Sequence, residues 1–203
     1  MDGAFIACGI GTVYEALTRI AVSGADRLLV TGLGPVGAAA AMVARALGVS
    51  TVYGAEVVPQ RIEWARGLGL FDEVLDSRDA PLETVERLTG GTGVETAVDC
   101  SGNAAARSLA LKALRTRGRL ALVGEGGDMT IDVSDDVLHK QALISGSWVT
   151  SVQGMTRLAE LLARQEIHPE QLVSDRFPQS EADRAYEAAA GRAAGKVCLV
   201  FED

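Results

Sequence analysis

The chain has 203 residues, of which 48% are hydrophobic and 23% are charged, and this composition is typical of a folded globular protein rather than a disordered one. Its 19 basic and 27 acidic residues give a net charge of −8, which argues against a nucleic-acid or anionic-membrane partner. The longest uncharged run, residues 28–44, contains three glycines and a proline and is too short to span a bilayer.

The amino terminus carries no basic segment followed by an apolar stretch, so the sequence predicts no signal peptide. Three cysteines, Cys8, Cys100 and Cys198, are widely separated and form neither a disulfide framework nor a C-x-x-C pair. A reduced, cytoplasmic protein is therefore expected.

Short apolar segments alternate with helical patterns from residue 27 to about residue 149. Strands are predicted at 28–31, 51–53, 73–75, 95–98, 120–123 and from 143–144 into 148–149. Helices are predicted at 36–47, after Pro59, after Pro81 and from Ala106 to a stop at Gly118. Continuously apolar strands indicate a parallel sheet that helices cover on both faces. The sequence thus predicts an α/β fold with a doubly wound, parallel, six-stranded sheet.

The tail departs from this alternation. A helix is predicted at 155–162, an extended segment at 172–177, and a second helix that ends near Gly191 and begins at a capping box formed by Ser180 and Asp183. A final apolar strand is predicted at 196–201. We therefore divide the chain into a domain at 1–150 and a C-terminal α+β extension at 151–203.

A glycine-rich turn joins the first predicted strand to the helix after it. Gly32, Gly34 and Gly37 form the pattern G-x-G-x-x-G, with Pro35 and Val36 between the last two glycines. In this context the pattern is typical of Rossmann dinucleotide-binding domains, where the glycines permit a tight turn, close approach of a pyrophosphate and close packing of helix on strand. Backbone N–H groups and the helix dipole then offer positive potential to phosphate. An ordinary turn that needs glycine is the alternative.

Glu56 lies at the end of the second predicted strand, 24 residues after Gly32. An acid there accepts hydrogen bonds from both ribose hydroxyls of adenosine and repels a 2′-phosphate, so NAD is expected rather than NADP. Arg61 would lie over the adenine ring or in solvent on its helix, and Glu56 argues against a third role as a 2′-phosphate ligand. A methyltransferase also places an acid here, but its loop usually reads G-x-G-x-G, whereas Val36 occupies the last of those positions in this sequence.

Further segments carry a resemblance to a known family. The stretches 7–17 (ACGIGTVYEAL), 99–102 (DCSG), 118–124 (GRLALVG) and 195–197 (GKV), together with the glycine turn, resemble the medium-chain dehydrogenase/reductase family, the zinc-type alcohol dehydrogenases and their relatives. The resemblance covers essentially the whole chain. It implies hydride transfer between a nicotinamide and an alcohol, aldehyde or ketone, with zinc acting as a Lewis acid.

The resemblance also implies a set of residues around the nicotinamide. They are Thr12, which would approach the ring, Ser101, Val123 and Gly124, which would line its pocket, and Ser147 and Val149, whose backbone would contact the carboxamide.

The zinc-binding part of the family pattern is incomplete. Cys8 falls where many members place a catalytic zinc ligand, and a thiolate suits zinc, but a small buried thiol is the alternative. The N-terminal catalytic domain that supplies the other ligands in the family is not recognised, so the chain is expected to be a fragment, which we favour, or a natural product that lost this half. His139 and His168 are expected at the surface and Asp99 is expected to be structural.

Two functions follow from the sequence. The first is the NAD(H)-binding portion of an oxidoreductase for a small alcohol or carbonyl substrate, inactive by itself; the second is a non-catalytic nucleotide-binding module. The segment 143–149 is the expected edge of a homodimer. The final strand, 196–201, is expected to lack its native sheet and to expose an apolar edge.

Overall fold

A computed structural model describes residues 2–191 and 193–201 of the protein. Its main sheet contains β1 (Arg27–Thr31), β2 (Thr51–Glu56), β3 (Glu73–Asp76), β4 (Val94–Asp99), β5 (Leu114–Leu122) and β6 (Leu143–Gly146). All neighbouring strands are parallel, in the order β3-β2-β1-β4-β5-β6. This is the Rossmann order, in which the direction of winding reverses between β1 and β4, and it confirms the predicted fold class.

Helices cover both faces of this sheet. In chain order the described α-helices are α1 (Gly9–Arg19), α2 (Pro35–Ala46), α3 (Pro59–Gly67), α4 (Pro81–Leu88), α5 (Ala104–Lys112), α6 (Val152–Arg164) and α7 (Ala182–Ala190). None of the helices in the described ranges is long and apolar enough to cross a membrane.

Two apolar cores lie on the two faces of the sheet, as continuously apolar strands require. One core contains α1 and the alanine-rich α2, whose small side chains are buried along nearly its whole length. Leu158, Leu162 and Leu172 of the tail belong to the same core. The second core, on the side of α5, contains Leu109 and Leu120. The extension therefore packs on the same hydrophobic core as the sheet, and the predicted boundary at residue 150 stays a prediction.

Two element boundaries in the second half of the sheet differ from the prediction. Helix α5 ends at Lys112, not at Gly118, because Leu114 pairs with Val94 and begins β5. The pairing of β5 with β4 then shifts register, and Arg117 adopts a left-handed conformation (φ 63°) before regular pairing resumes. Strand β6 ends at Gly146, so residues 148–149 lie beyond it.

The tail forms a small sheet of its own. Strands β7 (Val173–Pro178) and β8 (Lys196–Val200) pair in parallel, separately from the main sheet. The expectation that the final strand lacks its sheet and leaves an apolar edge unpaired is thus wrong, because β7 pairs with one of its edges. The predicted capping box is also wrong: Ser180 lies in a 3₁₀ turn, Gln179–Glu181, and among the described residues no side chain caps the first turn of α7.

Parts of several predictions fall on residues that the structure does not describe. These are the first residue of the predicted 1–150 domain and, in the extension, residues 192, 202 and 203.

Candidate dinucleotide-binding site

A crevice of about 660 Å³ lies at the carboxyl ends of β1, β2 and β4, where the strand order reverses. The glycine turn, the end of β2, α3 and the loop after β4 form its walls, which include Gly34, Glu56, Arg61 and Ser101. Doubly wound sheets bind their ligands at this position. We call it the first crevice.

Backbone packing explains two of the three glycines. Gly32 has a φ of 81°, and a Cβ atom there would lie 2.6 Å from Ser101 Cβ. A Cβ on Gly37 would lie 1.9 Å from the carbonyl oxygen of Gly32. Gly34 differs, since the nearest atoms to a Cβ there belong to the Arg61 guanidinium, 3.5 Å away. Packing therefore requires glycine at 32 and 37, while position 34 keeps space open beside the crevice.

The amino terminus of α2 meets this space. Gly34 is the N-cap residue and Pro35 is the first helical residue, which has no N–H group. The N–H groups of Val36 and Gly37 belong to the unpaired first turn of the helix. Together with the helix dipole they form a site for an anion that needs no lysine.

Glu56 ends β2, as predicted, and its side chain is almost fully buried. Its Oε2 accepts a hydrogen bond from the Leu33 N–H (2.8 Å), and its Oε1 accepts from the N–H groups of Val57 (2.8 Å) and Val58 (3.1 Å). A carboxylate has about four acceptor directions, so one remains for a further donor. The acid therefore also ties the glycine turn to the end of β2, which its position in the sequence did not reveal.

Arg61 lies in the wall of the first crevice rather than free in solvent. Its Nη2 donates to the carbonyl oxygen of Ala193 (3.4 Å) in the tail. Its Nε is buried and has no hydrogen-bond partner among the described residues. Buried donors nearly always have a hydrogen-bond acceptor in proteins, so the unpaired Nε–H indicates that a ligand supplies the missing acceptor. With the open space at Gly34, it makes the crevice fit an anionic, hydroxyl-bearing ligand such as a dinucleotide.

A second crevice, of about 420 Å³, lies at the carboxyl ends of β5 and β6. Val123, Gly124 and Ser147, three of the residues predicted around the nicotinamide, line it together with Trp148. Ser147 Oγ donates to the carbonyl oxygen of Thr12 (3.3 Å), which places α1 beside it.

Two other predicted nicotinamide neighbours lie elsewhere. Ser101 lies in the first crevice, so the predicted set is divided between the two crevices. Val149 lines neither crevice, and it adopts a left-handed conformation (φ 53°) that is unusual for a β-branched residue.

Between the crevices, Asp99 is fully buried at the end of β4. It accepts hydrogen bonds from Thr31 Oγ1 (2.9 Å), Ser101 Oγ (2.6 Å) and the Gly102 N–H (3.1 Å), which confirms its structural role. Burial, with a smaller contribution from Asp99, raises the pKa of the neighbouring Cys100 thiol well above its ordinary value. This shift favours the neutral thiol of Cys100 over the thiolate.

The described residues do not assemble a zinc site. Cys8 is exposed at the N-cap of α1, so the alternative of a buried thiol is wrong. Within residues 2–191 and 193–201, no group of three or more His, Cys, Asp or Glu side chains lies close enough to hold a metal ion. His139 and His168 lie at the surface, as predicted, where they pair with Asp135 and Asp2.

Asn103 is among the residues of the first crevice that the sequence analysis missed. It caps α5, since its Oδ1 accepts from the N–H groups of Ala105 (2.9 Å) and Ala106 (3.3 Å). An asparagine directly before a run of alanines is an N-cap signal that could have located the start of this helix.

Comparison with known proteins identifies the family. The sequence pattern of zinc-binding dehydrogenases matches residues 35–164, more than half of the chain. The uncharacterized zinc-type alcohol dehydrogenase-like protein YphC of Escherichia coli K12 is 41% identical over 203 residues, which cover 100% of this chain and 57% of that protein. L-threonine 3-dehydrogenase of Symbiobacterium thermophilum is 30% identical over 182 residues, covering 87% of this chain and 51% of that enzyme.

Solved structures agree with this result. Alcohol dehydrogenase TADH from Thermus sp. ATN1 superposes with a TM-score of 0.90 at 29% identity, covering 99% of this chain and 60% of that one. The chain spans about half the length of the curated relatives it matches. The fold, the glycine turn and these matches together show that the chain belongs to the zinc-binding dehydrogenase family.

Proposed function

We propose that the chain is the NAD(H)-binding portion of an oxidoreductase that transfers a hydride between a nicotinamide cofactor and an alcohol, aldehyde or ketone. The observation that carries this proposal is the first crevice, where the glycine turn meets the buried carboxylate of Glu56. Membership of a family of dehydrogenases supports the reaction class. Bound NAD would supply the nicotinamide carbon that accepts or returns the hydride.

The chain's own residues would hold the two ends of the cofactor in the two crevices. The N–H groups of Val36 and Gly37 would bind the diphosphate, and the free acceptor direction of Glu56 would take a ribose hydroxyl. Arg61 Nε would find its missing acceptor on the adenosine side. The residues proposed around the nicotinamide are Thr12, Val123, Gly124 and Ser147, at or beside the second crevice. Ser101, in the first crevice, and Val149, in neither, are proposed there from the family resemblance alone.

Glu56 also carries the proposed preference for NAD over NADP. Three backbone N–H groups hold its carboxylate in place, so it does not swing aside for a 2′-phosphate. Placing two negative charges next to each other in a contact that excludes water costs several kcal/mol. NADPH is therefore expected to bind at least about tenfold more weakly than NADH.

Zinc assistance and the choice of substrate belong, in this proposal, to the complete enzyme. The described residues do not gather the ligands that a zinc ion needs, so Cys8 by itself makes no metal centre. The substrate class we propose, a small alcohol or carbonyl compound, follows from the family.

Titration with NADH tests the proposal, with energy transfer from Trp64 and Trp148 to the bound nicotinamide as the signal. Saturable binding of NADH, weaker binding of NADPH and no binding of S-adenosylmethionine are the expected results. Absence of NADH binding would overturn the proposal, and tighter binding of NADPH would overturn the role of Glu56. The variant Glu56→Gln, which removes the charge and keeps one acceptor oxygen, should reduce the discrimination between the two cofactors.

One observation favours a second candidate function, a non-catalytic nucleotide-binding module: the described residues hold no metal-ligand cluster. The reading frame upstream of the codon for residue 1 separates the two candidates. An open frame that encodes a cysteine and a His-Glu segment supports the dehydrogenase, and a stop codon close upstream supports the module.

We further propose that two copies of the chain pair through β6. This strand ends the main sheet, and Leu143 and the nearby Trp148 are largely exposed (51% and 69%). An apolar edge strand pairs readily with another chain, and a charge on the edge prevents this. Light scattering should show a dimer for the unaltered chain and a monomer for Leu143→Lys; a monomer at high concentration for both would contradict the proposal.

A further inference from the structure

The guanidinium of Arg107, on α5, joins three backbone segments next to the second crevice. Its Nη1 donates to the carbonyl oxygen of Gly127 (2.6 Å), its Nη2 donates to that of Gly124 (2.7 Å), and its Nε donates to Asp99 Oδ2 (3.3 Å). The side chain is only 11% exposed, and Asp99 is fully buried. One planar group thus connects the end of β4 to both ends of the loop at 124–127, a task that suits the fixed fork of arginine.

This loop needs such a connection. Gly126 (φ 88°) and Gly127 (φ 62°) both adopt left-handed conformations, and adjacent glycines have the greatest conformational freedom to lose. The loop rests on the backbone after β4 without side chains between them. A Cβ on Gly124 would lie 2.1 Å from the Gly102 N, and one on Gly127 would lie 2.2 Å from the Gly102 carbonyl oxygen.

The same loop forms a wall of the second crevice, which residues 122–126, Ser147 and Trp148 line. The two halves of a doubly wound sheet each take one mononucleotide of a dinucleotide, on opposite sides of the point where the winding reverses. Because the glycine turn and Glu56 lie in the β1–β3 half, the adenosine part of the cofactor would bind there. The nicotinamide mononucleotide would then bind in the second crevice. Arg107 also lines this crevice, but its Nε, Nη1 and Nη2 each donate to a protein acceptor, so its effect on the ligand is expected through the loop it holds.

We propose that Arg107 is a positioning residue of the nicotinamide half-site: it holds the loop at 124–127 in the conformation that receives the nicotinamide end of the cofactor. The inference rests on the proposed NAD(H) binding and goes beyond it, because it assigns to one side chain an effect on one half of the ligand. Ligands that lack the nicotinamide should not require Arg107.

Comparison of NADH with ADP-ribose, which lacks only the nicotinamide ring, tests this assignment in the 203-residue chain. Arg107→Met should lower the affinity for NADH about tenfold, because the freed loop must be ordered when the ligand binds. The affinity for ADP-ribose should change by less than about twofold to threefold, because it lacks the ring that the loop receives and its adenosine contacts lie in the first crevice. The ratio of the two dissociation constants is the readout that general destabilisation does not move.

Arg119→Met is a matched control. Arg119 also donates to two carbonyl oxygens, of Ile20 (2.8 Å) and Ala21 (2.7 Å), and to a buried aspartate, Asp26 (2.8 Å), but at the amino end of the sheet. Its replacement should lower stability and leave the affinity ratio unchanged. If Arg107→Met does not fold, Arg107→Lys carries the test, since an ammonium beside Asp99 does not reach all three acceptors and should give a smaller loss of the same kind.

The outcomes separate the two levels of the proposal. Equal losses for NADH and ADP-ribose in the Arg107 variants, or no loss for either, overturn the positioning role and leave cofactor binding intact. A selective loss of NADH in Arg119→Met overturns it as well. If the unaltered chain binds neither ligand, the proposed function fails, and the role of Arg107 fails with it.

Discussion

The crevices in the two halves of the main sheet both depend on close contacts between backbone segments at glycines, but these contacts form in different ways. In the β1–β3 half, a single contiguous turn brings backbones together, and the contact of Gly37 with Gly32 excludes any side chain. In the β4–β6 half, two loops more than twenty residues apart interlock through Gly102 and Gly124. A close backbone contact thus appears as a recognisable motif where it is local, and leaves no motif where it is assembled from distant segments.

The halves also differ in how charge is buried. Glu56 in the first half is a carboxylate satisfied by three backbone N–H groups, whereas Asp99 in the second half combines such bonds with the side chain of Arg107. Backbone donors remain when neighbouring side chains change. The second half should therefore be the more sensitive to side-chain substitution, and the first to substitution of its glycines.

The largest effect should follow from Gly37→Ala in the first half. The added Cβ would lie 1.9 Å from the Gly32 carbonyl oxygen. Because this oxygen belongs to the backbone, it cannot move away without distorting the turn, so we expect a loss of about 4 kcal/mol or more in the free energy of unfolding. Urea denaturation followed by circular dichroism measures this. Gly34→Ala is the control: its Cβ meets the flexible end of Arg61, so stability should change by less than about 1 kcal/mol while NADH affinity falls. An unchanged midpoint for Gly37→Ala would contradict the role assigned to this packing.

In the second half, Asp99→Ala should cost about 3 kcal/mol. The substitution leaves the largely buried Arg107 without its carboxylate and leaves the Gly102 N–H without an acceptor. Asp72→Ala is a matched control in the first half, because Asp72 pairs with Arg45 and accepts from the Val52 N–H at a half-exposed position. Its replacement should cost about 1 kcal/mol. Equal losses in the two variants, measured by denaturation, would remove the distinction between the halves.

An ion pair at the amino ends of β1 and β4 joins the two halves, and it should respond to acid. Hydrogen bonds from the Arg27 side chain lower the pKa of Glu95 from its ordinary value of 4.5 to about 2. Because the pKa is lower in the folded state, this stabilisation is complete above about pH 4.5 and is lost as the pH falls toward 2. It should amount to about 1–2 kcal/mol after solvent screening. Unfolding measured between pH 7 and pH 3 should show a shallower acid loss for Glu95→Gln; a curve parallel to that of the unaltered chain would contradict this.

The smallest expected effect concerns backbone strain beside the second crevice. Val149 is half-exposed with a φ of 53°, so Val149→Gly should relieve strain and raise the free energy of unfolding by about 0.5 kcal/mol. Val57→Gly, at a similarly exposed position after β2 without a left-handed conformation, should lower it. Thermal unfolding of both variants measures the difference, and a loss in both would show that position 149 is not strained.

Sequence reasoning was accurate where a pattern is local. Apolar runs and helical periodicity predicted six strands of the main sheet in the right order along the chain, although β5 begins earlier and β6 ends earlier than predicted. The pattern G-x-G-x-x-G with a downstream acid predicted the position of the first crevice. It failed at α5, where the apolar periodicity continues past Lys112 but Leu114 pairs with Val94 instead. That choice depends on strand pairing between residues twenty apart, which helical periodicity does not report.

The sequence by itself determined the fold class, the glycine turn and the position of Glu56, because each depends on residues within one or two neighbouring elements. Only the tertiary structure decided that Glu56 holds the turn, that Ser101 and Val123 lie in different crevices, and that Arg107 connects β4 to the loop at 124–127. The physical reason is that these contacts end on backbone N–H and carbonyl groups, which every residue carries, so that only folding selects which of them a side chain meets.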